Sequence, residues 1–243
     1  MGRILAFVYG VLSYLVFFLT FLYAIGFVGN LFVPKTIDSG AEGDFTTSLL
    51  VNAALLGLFA VQHSVMARPA FKRWWTRIVP QPVERSTYVL LSSLALVLLF
   101  WQWRPLTGVV WSVENEAGRL VLWALFWLGW LLVLVSTFVI NHFDLFGLRH
   151  VYLHLRGAKY TNVPFKVSWL YKVVRHPLLL GFIIAFWATP RMTTGHLLFS
   201  VATTAYILIA IQLEERDLER AHGEDYRKYR SEVPMLVPLP KKR

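Results

Sequence analysis

The sequence predicts an all-α integral membrane helical bundle, and three observations carry that prediction. Apolar residues make up 56% of the 243 positions and charged residues only 16%, against about a quarter charged in soluble domains. The apolar residues gather in runs of the length needed to cross about 30 Å of hydrocarbon, which takes about 20 helical residues. Lys and Arg are shared very unequally between the segments joining those runs. That inequality accounts for the net charge of +10, so no nucleic-acid partner is implied. Cysteine is absent, which excludes disulfides, thiolate metal sites and a cysteine nucleophile.

About five to six membrane helices are expected, the last part being a C-terminal hairpin. The first run, residues 4–32, is too long for a signal-peptide core and lacks a small-residue cleavage pattern, so it reads as a retained span. Further spans are expected at 49–66, 88–103 and 120–140. Residues 178–213 are interrupted by Pro190, Arg191 and Gly195 and read as a hairpin with arms at 178–189 and 193–213. The short arm rises only about 18 Å at about 1.5 Å per residue. It therefore extends back through Pro177 or stops short of a full crossing. No internal repeat or soluble second domain is visible. Residues 1–243 read as one membrane-embedded domain with polar elements at 141–177 and 214–243.

Basic residues set the orientation. A cytoplasmic N-terminus puts Arg3, the 67–87 loop, the 141–177 loop and the tail on the same side. That side then holds 20 of the 24 basic residues, leaving Lys35, Arg104, Arg119 and Arg191 opposite. The reverse orientation inverts the ratio, so the prediction is N-in and C-in. Trp74 and Trp75, and Trp101 and Trp103, read as interfacial belts at opposite ends of neighbouring spans.

The titratable residues gather on the predicted cytoplasmic face. His142, His150, His154 and His176 lie in or at the end of the 141–177 loop, which makes that face a candidate site. His63, inside an apolar run, reads first as a hydrogen-bonded packing residue. In "NHFDLFGLRH", His142, Asp144 and His150 can act as a base, an orienting carboxylate and a second imidazole. The same residues also fit a plain interfacial turn. His150 and His154 have helical spacing but no third ligand, and no metal is predicted.

The stretch "RHPLLLG" places Pro177 at a first helical position, where a missing N–H costs nothing. Arg175 and His176 then precede a helix N-terminus, whose free N–H groups suit an anionic group. The second arm ends in "QLEERDLERAHGEDYRKYRSEVPMLVPLP". If the hairpin is tight, Glu214 and Glu215 return beside Arg175 and His176. Two acids at a membrane end call for a cationic partner, either a sulfonium or ammonium ligand or Arg175 itself.

An Arg-His-Pro at a helix start, a Gly four residues later, a membrane hairpin, Glu-Glu, paired tyrosines and Val-Pro resemble the isoprenylcysteine carboxyl methyltransferase and phospholipid methyltransferase superfamily. "QHSVMARPAFKRWWTRIVPQPVERSTYVLLSSLALVLLFWQWRP" and "NHFDLFGLRHVYLHLRG" extend the likeness over most of the chain. These two stretches resemble the bacterial methanethiol S-methyltransferases, relatives of the NnrU-type membrane proteins. The resemblance implies an enzyme in a bacterial cytoplasmic membrane, with its site facing the cytoplasm, that uses S-adenosylmethionine. It implies methyl transfer to a small thiol, with methanethiol giving dimethyl sulfide. It implies cofactor contacts from Tyr171, Arg175, His176, Pro177, Glu214 and Glu215. Leu179 departs from the superfamily pattern, which often has Tyr at that position, so a ring contact with the cofactor is lost. His142 is the expected base, with Asp144 orienting it. Competing readings are a lipid or isoprenylcysteine acceptor on the same fold, and a haem-binding membrane protein using His63, His142, His150 or His154. A transporter is disfavoured because few polar residues lie at mid-membrane.

Overall fold

A computed structural model describes residues 2–161 and 167–238. In chain order it contains α1 (Arg3–Gly29), α2 (Phe45–Ala67), α3 (Pro69–Trp75), α4 (Gln81–Gln102), β1 (Val109–Ser112), α5 (Glu116–Ile140), α6 (His142–Leu145), α7 (Leu148–Leu155), α8 (Trp169–Val173), α9 (Pro177–Trp187), β2 (Arg191–Thr193), α10 (Thr194–His222) and α11 (Glu224–Glu232). Five helices among the described residues, α1, α2, α4, α5 and α10, are long and apolar enough to cross a membrane, and α9 is a shorter apolar helix. The all-α membrane bundle is what the chain forms. Lys166, Lys241, Lys242 and Arg243, counted above for orientation, lie outside the described residues.

α2 and α5 begin four residues earlier than the apolar pattern suggests, and α4 and α10 run further still. α4 begins at Gln81 rather than residue 88, because Pro80 caps it and Pro82 fits its first turn. α10 continues past residue 213 to His222, because the Glu, Arg, Leu and Ala residues that follow are good helix formers. Gly223, at φ +56°, ends it in a conformation that glycine adopts without steric cost.

The chain divides into two compact units. The first comprises Met1–Val109, Asn141–Val163 and Thr193–His196. In it α4 packs against both α1 and α2, and α7 packs on α1 and α4. Asn52, fully buried on α2, holds the exit of α4 with two bonds. Its Nδ2 donates to the Arg104 carbonyl at 2.7 Å, and the Arg104 N–H donates to its Oδ1 at 2.9 Å. Trp103 is not the interfacial belt residue expected from sequence. α4 ends at Gln102, so Trp103 leaves the outward face that carries Trp101 and turns inward. It is only 1% exposed, and its indole N–H donates to the Ile37 carbonyl at 3.0 Å. Gly147, at φ +87°, lets the α6–α7 turn lie directly on α4; a Cβ there would stand 2.9 Å from the Ser86 backbone nitrogen.

The second unit comprises Val110–Ile140, Pro164–Met192 and Leu197–Arg243. α5 and α9 cross at two glycines. A Cβ on Gly129 would meet the Gly181 carbonyl at 2.7 Å, and one on Gly181 would meet the Gly129 carbonyl at 2.7 Å. Close backbone approach through small residues is how membrane helices gain packing without a hydrophobic drive. α9 also runs beside α10. Ser200 Oγ donates to the Phe186 carbonyl at 2.7 Å and the Trp187 indole N–H to Thr204 Oγ1 at 2.9 Å. Leu179, Leu180, Phe182 and Ile183 pack on Ile207 and Ile211.

The short arm of the hairpin is a helix followed by a bend and a strand. The 11 residues of α9 rise about 16 Å at about 1.5 Å each. The chain then leaves the helix at Ala188, bends at Pro190 and enters β2 at Arg191. Irregular backbone at membrane depth must find its partners within the protein. Here β2 pairs with β1, the Val113 N–H donates to the Pro190 carbonyl at 2.8 Å, and the Trp111 indole donates to the Thr189 carbonyl at 3.2 Å.

Replacing Gly181 with Val should cost about 1–3 kcal/mol through overpacking against Gly129. Leu131→Ala, on the exposed face of α5, should stay within about 0.5 kcal/mol. Thermal unfolding of the detergent-solubilised variants checks both.

Candidate active site

The second unit brings together most of the residues expected to hold a cofactor. His176 is the residue before α9, and Pro177 occupies its first turn. Arg175 and His176 are buried, as is Glu215 on α10. Arg175 Nε donates to Glu215 Oε1 at 2.7 Å, and His176 Nε2 lies 3.0 Å from the same oxygen. The remaining Glu215 oxygen, Oε2, stands 3.2 Å from Arg230 Nε, close enough for charge attraction but with no aligned hydrogen-bond donor among the described residues. Glu214 is about half exposed, with Oε2 3.7 Å from His176 Nδ1.

The tail closes over this cluster through its backbone. The Arg175 and His176 N–H groups donate to the carbonyls of Pro234 and Met235 at 2.9 and 3.2 Å. Arg175 Nη1 donates to the carbonyls of Arg230 and Val233 at 3.1 and 2.6 Å, so one guanidinium serves both Glu215 and the C-terminal end of α11. A cation at that end also meets the negative pole of the helix. Tyr226, Tyr229 and Val233 form a buried stripe with Val167 and Leu218 packed on it, and Tyr229 Oη donates to the Tyr171 carbonyl at 2.7 Å. Burial raises the Tyr171 and Tyr226 phenols well above their usual range and pushes Tyr229 up to about 12; all three stay neutral. A cleft of about 500 Å³ opens beside them, lined by Lys172, Asp225, Lys228, Tyr229 and Glu232 among others.

Tyr171, Arg175, His176, Pro177, Glu214 and Glu215 therefore belong to one unit, with the Arg-His-Pro and Glu-Glu motifs in direct contact. The contact is more specific than expected, because Arg175 itself takes the charge of Glu215 and leaves Glu214 the more accessible carboxylate. Arg230 is the residue that sequence reasoning missed. The signal was the spacing of Tyr226, Tyr229 and Val233, which marks an amphipathic helix and so puts the arginines on its other faces.

The first unit holds the other candidates in a different arrangement from the one expected. His142 is buried, 4% exposed, and its Nε2 lies 2.8 Å from Tyr14 Oη. Burial holds its imidazole below the usual value, so it is neutral at pH 7. Asp144 accepts from Arg149 Nη1 at 2.9 Å and from Tyr160 Oη at 3.2 Å. His150 stacks on Tyr160, with ring centroids 4.2 Å apart, and its Nδ1 lies 3.9 Å from Asp144 Oδ1. Asp144 thus faces Arg149, Tyr160 and His150. Tyr14, which hydrogen-bonds His142, lies on an apolar helix that also carries Tyr9, Ser13, Thr20 and Tyr23, so no pattern singles it out. His63, also in this unit, is hydrogen-bonded to Tyr88 Oη at 2.9 Å and to Ser92 Oγ at 3.2 Å.

Burial is the main cause that lowers His150 to about 4, helped by Arg85, Arg149 and Lys72 and opposed by Asp144. The unfolded chain, near 6.5, then binds a proton between pH 6.5 and pH 4 that the folded chain does not. Stability is whole above pH 6.5 and should fall by about 1 kcal/mol per pH unit through that window. Melting temperatures at pH 7.5, 6 and 5 should show the fall, and His150→Gln should lessen it, leaving the part that His142 contributes.

Comparison with known proteins places this architecture in a family. Residues 51–229 match the model of the NnrU protein family. The chain is 60% identical over 240 residues to methanethiol S-methyltransferase of Mycobacterium tuberculosis, covering 99% of this chain and 98% of the relative. It is 55% identical over 239 residues to that of Crocosphaera subtropica, covering 98% and 94%. A more distant relative, Nurim of Mus musculus, is 31% identical over 192 residues, covering 74% and 72%. No solved structure matches the chain. The chain belongs to the NnrU family, in the company of the methanethiol S-methyltransferases.

Proposed function

We propose that this protein transfers a methyl group from S-adenosylmethionine to methanethiol, releasing dimethyl sulfide and S-adenosylhomocysteine. The observation that carries the reading is identity of 55–60% over nearly the whole chain to proteins named for that reaction. We further infer that the Arg175–Glu215 end of the hairpin faces the cytoplasm of a bacterial inner membrane. The 20-to-4 division of basic residues supports that side.

The residues of the second unit fit such a donor. It carries a sulfonium, an ammonium and a carboxylate, so it needs both signs of charge. Glu214, half exposed, offers negative charge beside the start of α9. Lys172, Lys228, Asp225 and Glu232 line the adjoining cleft. Tyr171, His176 and the first turn of α9 at Pro177 would complete the holding residues. The bound donor supplies an electrophilic methyl group on a cationic sulfur.

The chain's own groups have two tasks, orientation and removal of the thiol proton. A neutral imidazole at pH 7 is a suitable proton acceptor, and we assign that task to His142. Asp144 and His150 are proposed to hold the α6–α7 turn that carries it, through Arg149 and Tyr160. A thiolate and a sulfonium become two neutral sulfurs, so a low-dielectric setting does not oppose the transfer once both are held in line.

Membranes containing the protein, given methanethiol and methyl-labelled donor, should release labelled dimethyl sulfide into the gas phase; a purified protein that binds the donor yet methylates no small thiol would remove the substrate assignment. His142→Ala should lower kcat about 100-fold or more with donor affinity kept, which single-turnover assays and calorimetry separate. Glu214→Ala should weaken donor binding with little change in melting temperature, since this carboxylate is half exposed.

A further inference from the structure

We propose that Tyr14 is a catalytic residue: its hydroxyl receives the proton of the bound thiol while passing its own to Nε2 of His142, and the aromatic rings around this pair form the seat for a small apolar thiol. This inference rests on the thiol-methylation reading above and names the groups that contact the acceptor.

The geometry begins with burial. His142 is 4% exposed, which restricts the direct approach of a substrate. Tyr14, on α1, is the more accessible partner, and its Oη sits 2.8 Å from Nε2. A phenol can donate to the imidazole and accept from a thiol S–H at the same time. The surroundings are aromatic. Phe146 lies 4.9 Å and Phe143 5.4 Å from the His142 ring, and Phe18 is stacked 6.4 Å from Tyr14. Phe18 and Phe143 are among the exposed apolar side chains, so the cluster has an outer wall open to its surroundings. Sulfur makes favourable contacts with aromatic rings at about 5 Å, and an apolar volatile thiol partitions into such a setting.

In the step itself the S–H bond breaks as a new O–H bond forms on Tyr14. The original Tyr14 O–H bond breaks as an N–H bond forms on Nε2. The products are a thiolate and an imidazolium with Tyr14 unchanged, and the imidazolium later gives its proton to solvent. The depressed basicity of buried His142 keeps it neutral and receptive before the thiol arrives. Charged groups on the elements packed here are Asp144 on the same short helix, Arg149 of α7, which donates to Asp144 at 2.9 Å, and Arg85 of α4, which donates to the Leu145 carbonyl at 2.9 Å.

The test is Tyr14→Phe, which removes one oxygen and keeps the ring. At pH 7 its kcat/KM for methanethiol should fall at least 10-fold with donor affinity and melting temperature unchanged. The deficit should shrink as pH rises toward the ionisation of the free thiol, where no acceptor is needed. A hydroxyl that merely packs His142 would give a deficit independent of pH, and that result, or wild-type turnover at every pH, overturns the proposal. Should Tyr14→Phe not fold, 3-fluorotyrosine at position 14 keeps the size and acidifies the phenol. It should change turnover at pH 7 with donor affinity kept, because the phenol both gives and takes a proton in the step, and unchanged turnover counts against the relay. A wild-type protein that forms no dimethyl sulfide sinks the thiol reading as well, whereas an active wild type with an indifferent Tyr14→Phe sinks this inference alone.

Discussion

The second unit depends on one interaction, the buried ion pair between Arg175 and Glu215 at 2.7 Å. Two charges this far from water are costly unless each is well paired and its remaining hydrogen-bonding groups are met. Arg175 meets the condition through the carbonyls of Arg230 and Val233, and Glu215 meets it in part, with His176 on Oε1 and the charge of Arg230 beside Oε2. The pair therefore forms only when the start of α9, the end of α10 and the tail are all in place. This all-or-none demand lets an exposed tail of polar helix hold a fixed position on a membrane hairpin. It also fixes Glu214, the next residue on α10, beside His176.

Membrane packing supplies the other half of the order. α9 is short and would be a weak span alone, but its glycine crossing with α5 and its contacts with α10 fix its height. The ribbon of β1 and β2 and the Val113 N–H then meet polar groups of the irregular stretch that follows. The result is a polar cluster at one end of the hairpin, built on rigid helices rather than on a loose loop.

Much of this was legible in the residues, and the limits have physical causes. The spans follow from apolar runs because lipid leaves helices few alternatives. The meeting of Arg175 and His176 with Glu215 followed from the hairpin and the charge signs. The ribbon at residues 109–112 and 191–193 was hidden, because four residues and three residues are too short for an alternating pattern to register. Tyr14 was hidden for a different reason: it is one of several hydroxyls scattered along an apolar helix, and only the fold shows that it faces His142. Asp144 follows His142 by two residues, yet its carboxylate is taken by Arg149 and Tyr160, which sequence proximity could not indicate.

The claim that most of the account stands on is that the Arg175–Glu215 pair is needed for the donor site rather than for folding alone. A double-substitution cycle measures this, with Arg175→Met, Glu215→Leu and the combination compared for melting temperature and for calorimetric binding of S-adenosylmethionine. Each single change strands a buried charge and is expected to cost about 3–5 kcal/mol, while the apolar pair should recover most of that stability and still fail to bind the donor. A double variant that binds the donor as the wild type does, or single variants as stable as the wild type, would contradict the account.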